Sequence, residues 1–216
     1  MAAPLFTSEE LAQIQQAVQR AEAGSGGEIV PVLARQSSFY ESAYWRGGLL
    51  LASFASGLLI VLYFATDRLL FAPPHLWLLI TLASGLLGAL ITLLIPSVKR
   101  FLIGQATQEA RVLDQAKTLF YNYGIALTEQ RTGILLYISF LEHRAVILAD
   151  VGIDELVPQS SWQSLIDDLT RGIKAGRPTE SICATLEACG RLLEESGVQR
   201  AVDDDNELSD EVRIQK

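Results

Sequence analysis

Histidine is nearly missing from this chain: two in 216 residues, His75 and His143. That scarcity weighs against histidine-based acid–base chemistry. Cysteine is equally rare, and Cys183 and Cys189 stand six apart with no other cysteine or histidine nearby. This is neither a metal nor a redox spacing, and it fits a buried structural role. Basic residues are outnumbered 17 to 25, for a net charge of −8. Neutralising phosphates takes clustered Lys and Arg, so nucleic acid is not an expected partner. Charge of any sign is sparse: 19% of residues are charged and 50% hydrophobic, high for a wholly soluble domain. Near the N-terminus, Glu9 and Glu10 stand where a signal peptide would carry a basic flank, so none is expected.

What fills the middle of the chain is apolar. Gly47 to Ala65, GGLLLASFASGLLIVLYFA, and Leu76 to Ile95, LWLLITLASGLLGALITLLI, contain no charged residue. At 1.5 Å per residue, each matches a hydrocarbon core of roughly 30 Å. Between them TDRLLFAPPH is polar and proline-broken enough to turn. Tyr44, Trp45, Tyr63 and Trp77 sit near the ends, where amphipathic rings favour a membrane interface. Two buried core helices are the alternative, but two charge-free runs side by side predict a transmembrane hairpin. Small residues in both runs (Gly57 and Gly88 among them) allow close helix approach. Neither run holds an ionisable group, so an anchor rather than a transport path is expected. Arg35 and Arg46 precede the first run and Lys99 and Arg100 follow the second, whereas the link offers only Arg68 beside Asp67. By the positive-inside rule both termini and the folded domain are predicted to be cytoplasmic, in the cell (inner) membrane.

On either side, the sequence alternates helix and strand. Phe6-Thr7-Ser8-Glu9-Glu10-Leu11 reads as a capping box with a hydrophobic staple, and Gly24 ends that helix. Glu28–Ala34 reads as a strand, with Pro31 predicting an edge or an unpaired position. A helix is expected over Leu102–Phe120. A hairpin should follow, with strands at Gly133–Leu141 and Ala145–Ala149, both near the sheet centre, and Glu142, His143 and Arg144 as a solvated tip. Trp162 to Ile173, capped by Ser160-Ser161, and Ile182 to Leu193 carry apolar helical stripes. The acidic tail is expected to drape over the surface.

The predicted architecture is therefore α/β: a small mixed β-sheet flanked by helices and interrupted by an inserted two-helix transmembrane hairpin. Residues 1–35 form the first part, 36–99 the insertion with spans near 47–65 and 76–95, 100–200 the second part and 201–216 the tail. The first two strands then run parallel through a helical crossover.

T-S-E-E-L, S-G-G-E-I-V, L-T-E-Q-R-T-G-I-L-L-Y-I, R-A-V-I-L-A-D-V-G-I and W-x-x-L-I-D-D-L-T-R-G-I-K-A-G occur in that order. In that order and spacing they resemble the TPM domain, often labelled TPM-phosphatase, across the chain except about 36–99. The closing D-D-D-N-E-L-S-D-E-V is similar to the acidic tail of some bacterial members. The resemblance implies a membrane-anchored or lumenal α/β domain linked to weak phosphatase activity, divalent-cation binding and membrane-complex maintenance. Many members carry Asp or Asn where this chain has Thr132.

Strand direction sorts the polar residues independently of that resemblance. One sheet edge gathers Glu28, Arg131, Thr132, Asp150, Asp154 and Glu155, with Gly27 and Gly152 expected to leave room for a ligand. Carboxylates and loop carbonyls suit Ca²⁺ or Mg²⁺, and Arg131 suits a small anion. The other edge carries Arg35, Arg46, Lys99, Arg100 and Arg144, placed to meet anionic headgroups of a lipid bilayer. The leading expectation is a binding or scaffolding module with a divalent-cation or small-anion site. The alternatives are a weak metal-dependent phosphatase, for which Thr128 and Thr132 lack a base, and a structural partner of a membrane protein.

Overall fold

The computed structural model describes residues 6–65, 73–198 and 207–215. The acidic residues Asp203, Asp204 and Asp205, Arg68 with Asp67, and most of the expected 66–75 turn lie outside them. The chain forms two compact units, Met1–Ser37 with Glu109–Lys216, and Ser38–Gln108.

In the first unit, helix α1 (Ser8–Ala23) starts as its sequence dictates. Thr7 Oγ1 accepts from the Glu10 N–H at 3.2 Å and the Glu10 carboxylate accepts from the Thr7 N–H at 2.8 Å. Strand β1 (Glu28–Ala34) pairs in parallel with β2 (Gly133–Ser139), Glu28 opposite Gly133 and Ala34 opposite Ser139. Strand β3 (Arg144–Ala149) runs antiparallel to β2. A fourth strand, β4 (Arg213–Gln215), pairs in parallel with β1. The sheet order is β3-β2-β1-β4.

One expectation changes here, and of the two readings of Pro31, an edge or an unpaired position, the second holds. Strand β3 is an edge strand rather than a central one, and its alternating burial reflects that position. Strand β1 is interior despite Pro31. Pairing with β4 spans only Val32–Ala34, so the missing proline donor falls outside that ladder.

Successive strand residues point to opposite sheet faces, and both faces are covered. Ile29, Leu33, Ile134, Leu136 and Ile138 pack with Ile14 and Val18 of α1, Trp162 and Leu169 of α7 (Gln159–Lys174), and Leu186 and Leu193 of α8 (Pro178–Glu195). Val30, Val32, Leu135 and Tyr137 pack with Val112, Ala116, Leu119 and Phe120. Helix α7 begins after Pro158 without a side-chain cap, not at the expected Ser160-Ser161 cap.

The second unit holds α2 (Glu41–Ala65) and α3 (Pro74–Leu94), each long and apolar enough to cross a membrane, with mean hydropathy 2.2. Their large side chains face outward, Phe54 at 69% and Leu86 at 74% exposure. The two helices touch through small residues: a Cβ on Gly88 would stand 2.4 Å from the Gly47 carbonyl oxygen. Ser56 and Thr81 hydroxyls lie 3.1 Å apart across the same pair.

Pro96 opens a short helix, α4 (Pro96–Ile103). The expected single helix over Leu102–Phe120 is broken at Gly104, whose φ of 80° ends α4 before α5 (Gln105–Asn122) begins.

Candidate functional site: a charged edge beside the first strand

The turn that leads into β2 assembles this edge. Arg131 takes a left-handed backbone, φ 57°, and its N–H donates to the Thr128 carbonyl at 3.1 Å. The Thr132 carbonyl then accepts from the Glu28 N–H at 3.1 Å, and the Gly133 carbonyl accepts from the Asp150 N–H at 2.9 Å. Glu28, Arg131, Thr132 and Asp150 therefore share one end of the sheet. Asp154 and Glu155 follow directly in and after the short helix α6 (Val151–Asp154), and both are exposed.

The chemistry of Asp150 is fully committed within the protein. Arg131 grips it with two bonds, Nε to Oδ2 at 2.6 Å and Nη2 to Oδ1 at 2.9 Å, and Oδ1 also accepts from the Val151 N–H at 2.8 Å. Burial pushes this carboxyl up, but the Arg131 bonds and the Val151 N–H outweigh it and hold it below the usual carboxylate range. The Arg131 guanidinium is raised by the same hydrogen bond and remains half-exposed.

Glu28 is equally engaged. Its Oε1 and Oε2 accept from the N–H groups of Glu207 and Leu208, both at 3.3 Å. Gly27 and Gly152 do not open space for a ligand. A Cβ on Gly27 would meet Leu193 at 2.5 Å, and one on Gly152 would meet the Gln130 and Arg131 carbonyl oxygens at 2.7 Å. Among the described residues no group of three or more His, Cys, Asp and Glu could hold a metal ion. Thr132 is buried, and its N–H donates to Thr128 Oγ1 at 3.1 Å. What the edge offers outward is the Arg131 guanidinium, the Asp154 and Glu155 carboxylates, and exposed apolar or aromatic side chains on adjoining segments, Tyr121, Leu127, Val151 and Leu156.

The basic residues of the other set are divided between the two units. In the first unit Arg144 pairs with Glu109 at 2.8 Å, and the Arg35 N–H donates to the Gln215 carbonyl at 3.4 Å. In the second, Arg46 Nη1 donates to the Leu102 carbonyl at 2.9 Å. Lys99 is buried, its ammonium 5.2 Å from the centre of the Tyr44 ring and 5.9 Å from that of Tyr40, while Arg100 is partly exposed.

The hairpin tip is only in part the solvated turn expected: His143 is exposed and Arg144 half-buried. Glu142 is buried, accepting from the Ser37 N–H at 2.9 Å and from the Ser139 hydroxyl. The Ser37 hydroxyl lies 2.9 Å from the Tyr137 hydroxyl, and burial raises that phenol. Sequence reasoning also missed Glu22, Tyr123, Asp210 and Arg213, which gather around the C-terminal segment. Asp210 and Arg213 lay in a tail read as a surface drape. Of these residues only Asp210 gave a signal, as an acid between Leu208 and Val212 in alternating register.

Residues 95–192 match the family model of the TPM domain. Over that stretch the chain is similar to the TPM domain. The NMR structure of BA42 protein from the psychrophilic bacterium Bizionia argentinensis is similar in fold, with a TM-score of 0.61 at 17% identity, covering 99% of this chain and 98% of that one. No curated protein matches the chain. The mixed four-stranded sheet between helical layers agrees with the α/β TPM fold.

Proposed function

We propose that this TPM-like domain is a membrane-anchored binding module that docks another protein at the Arg131 edge. The observation that carries this reading is the division of labour there. The buried carboxylate is spent on Arg131 and the α6 N-terminus, while the half-exposed guanidinium interacts with Tyr121, and Leu127, Val151 and Leu156 are exposed on the segments adjoining this edge. An arginine set among exposed apolar and aromatic side chains suits protein recognition. The anchor would be α2 and α3, whose apolar side chains face outward along lengths that fit a bilayer. The basic flanks support cytoplasmic termini.

Full-length protein in mild detergent tests the docking reading. Crosslinked partners recovered with the native sequence should be lost in Leu127→Asp and Val151→Asp, which alter exposed positions only. Retention of the same partners by both variants would overturn it. Thermal melting with millimolar calcium or magnesium should leave the transition unmoved. A metal-dependent upward shift, or metal-dependent turnover of a phosphomonoester, would transfer the function to the cation or phosphatase alternative. Protease protection in sealed right-side-out vesicles checks orientation, and digestion of the TPM-like domain there would reverse it.

A further inference from the structure

The segment 207–215 runs along the first unit without regular structure until it ends in β4. Leu208 packs on one core and Val212 on the other, while Glu207, Ser209 and Glu211 are exposed. Between the two inward apolar side chains sits Asp210, a carboxyl facing another carboxyl. We propose that residues 207–215 form a proton-gated clasp, in which a proton shared between Asp210 and Glu22 holds the segment down and its loss releases β4 from β1.

The contacts fall into two classes. One class is indifferent to pH near neutrality. The Glu207 carboxylate accepts from the Glu129 N–H at 3.1 and 3.2 Å, and Arg213 lies 4.0 Å from the centre of the Tyr123 ring. Gln215 Nε2 donates to the Tyr123 hydroxyl at 2.6 Å, and β4 adds a three-residue ladder to β1. The other class is the acid cluster. Glu22, at the end of α1, uses Oε1 to accept from the Ile29 N–H at 2.7 Å and hydrogen-bonds with Asp210. Two carboxyl groups can share a hydrogen bond only if one keeps its proton.

The charged groups around Glu22 do not relieve it. Strand β1 presents Glu28, and the tail presents Asp210. From α8, Glu187 is tied to Arg20 at 2.9 Å, and Glu194 and Arg191 line the adjoining cleft beside Gly24. Burial above all, then Glu28 and Asp210, push the Glu22 carboxyl up to about 8, while the Ile29 N–H pulls the other way.

The sign follows from linkage. The share of that rise that the tail supplies, by covering Glu22 and presenting Asp210, favours the closed state below the carboxyl's ordinary value of 4.5 and is lost as pH rises through about 8. Between those values the closed-to-open ratio attributable to Glu22 falls by up to about tenfold per pH unit.

Hydrogen exchange of the full-length protein in detergent, corrected for the intrinsic pH dependence of exchange, reads this directly. Protection of residues 207–215 should drop by about tenfold or more between about pH 5.5 and about pH 8.5, while protection of β2 stays unchanged. Glu22→Gln keeps an acceptor for Ile29 and supplies a donor to Asp210, so its clasp should stay closed across the range. Asp210→Ala removes both the shared proton and the like charge, so its protection should change less with pH than that of the native sequence. A flat profile for the native sequence, a Glu22→Gln profile that follows the native one, or loss of β2 protection in step with the tail would each overturn the proposal.

Discussion

Burying the Asp150 carboxylate is tolerable because both of its oxygens are occupied, one by Arg131 Nε and the other by Nη2 and the Val151 N–H. Isolated, such a charge would neutralise itself by protonation. The sign of its pH effect follows from its lowered pKa: the stability it contributes is present above the ordinary carboxylate range and is lost as pH falls through the depressed folded value. Arg131→Ala removes the largest lowering cause and leaves burial in charge. The acid-side loss of stability should therefore begin at higher pH than in the native chain, as read from urea midpoints against pH. Superposed profiles would show that Arg131 does not hold the carboxylate charged. Asp150→Ala leaves a half-exposed guanidinium that water can solvate, so its cost at neutral pH should be modest, about 1–3 kcal/mol. Gly133 makes a sharper demand. A Cβ there would stand 2.2 Å from the Ile125 carbonyl oxygen, and Gly133→Ala should cost about 1–3 kcal/mol or more in the same assay.

Among elements, what periodicity encodes is readable and what long-range pairing encodes is not. The α1 cap, the Glu28–Ala34 strand and the apolar stripes of α7 and α8 follow from spacing alone, and the structure reproduces them. Strand β4 left no such trace, because Arg-Ile-Gln has weak strand preference and gains its place only from an edge of β1 about 180 residues upstream. Glu142 was misread for a related reason: Ser139 is three residues away, but Ser37 reaches it only once β1 and β2 pair. The candidate edge was legible as a grouping, since strand direction brings Glu28, Arg131 and Asp150 to one end. Its use was not, since the fork between Arg131 and Asp150 depends on a left-handed turn that composition does not announce. The contact between α1 and α8 is equally specific. Gly190 lets the Ala21 backbone approach so closely that a Cβ would meet the Ala21 carbonyl oxygen at 2.6 Å and its Cα at 2.8 Å. Gly190→Val should force these helices apart and cost about 2–4 kcal/mol, with Tm falling accordingly; an unchanged Tm would mean the interface can slide.

For the molecule as a whole, the two compact units are held by different physics. The unit of Met1–Ser37 and Glu109–Lys216 buries apolar strands between helices and gains its stability by removing them from water. The unit of Ser38–Gln108 presents its apolar side chains outward and satisfies its backbone polar groups inside two helices. Denaturant acts on surface newly exposed to water, and helices held in a micelle expose little of it. Unfolding of the full chain in detergent should therefore not be two-state. Near-ultraviolet signal from Trp162, buried in the sheet core, should vanish in one transition, while a far-ultraviolet helical plateau persists from α2 and α3. Gly88→Leu should leave the first transition in place, because a side chain there would first meet Gly47 and Leu51 of its own unit, and should lower the persistence of that plateau. If both signals vanish together in the native chain, the two units fold as one cooperative body and the helices are stabilised by the domain rather than by an apolar surrounding.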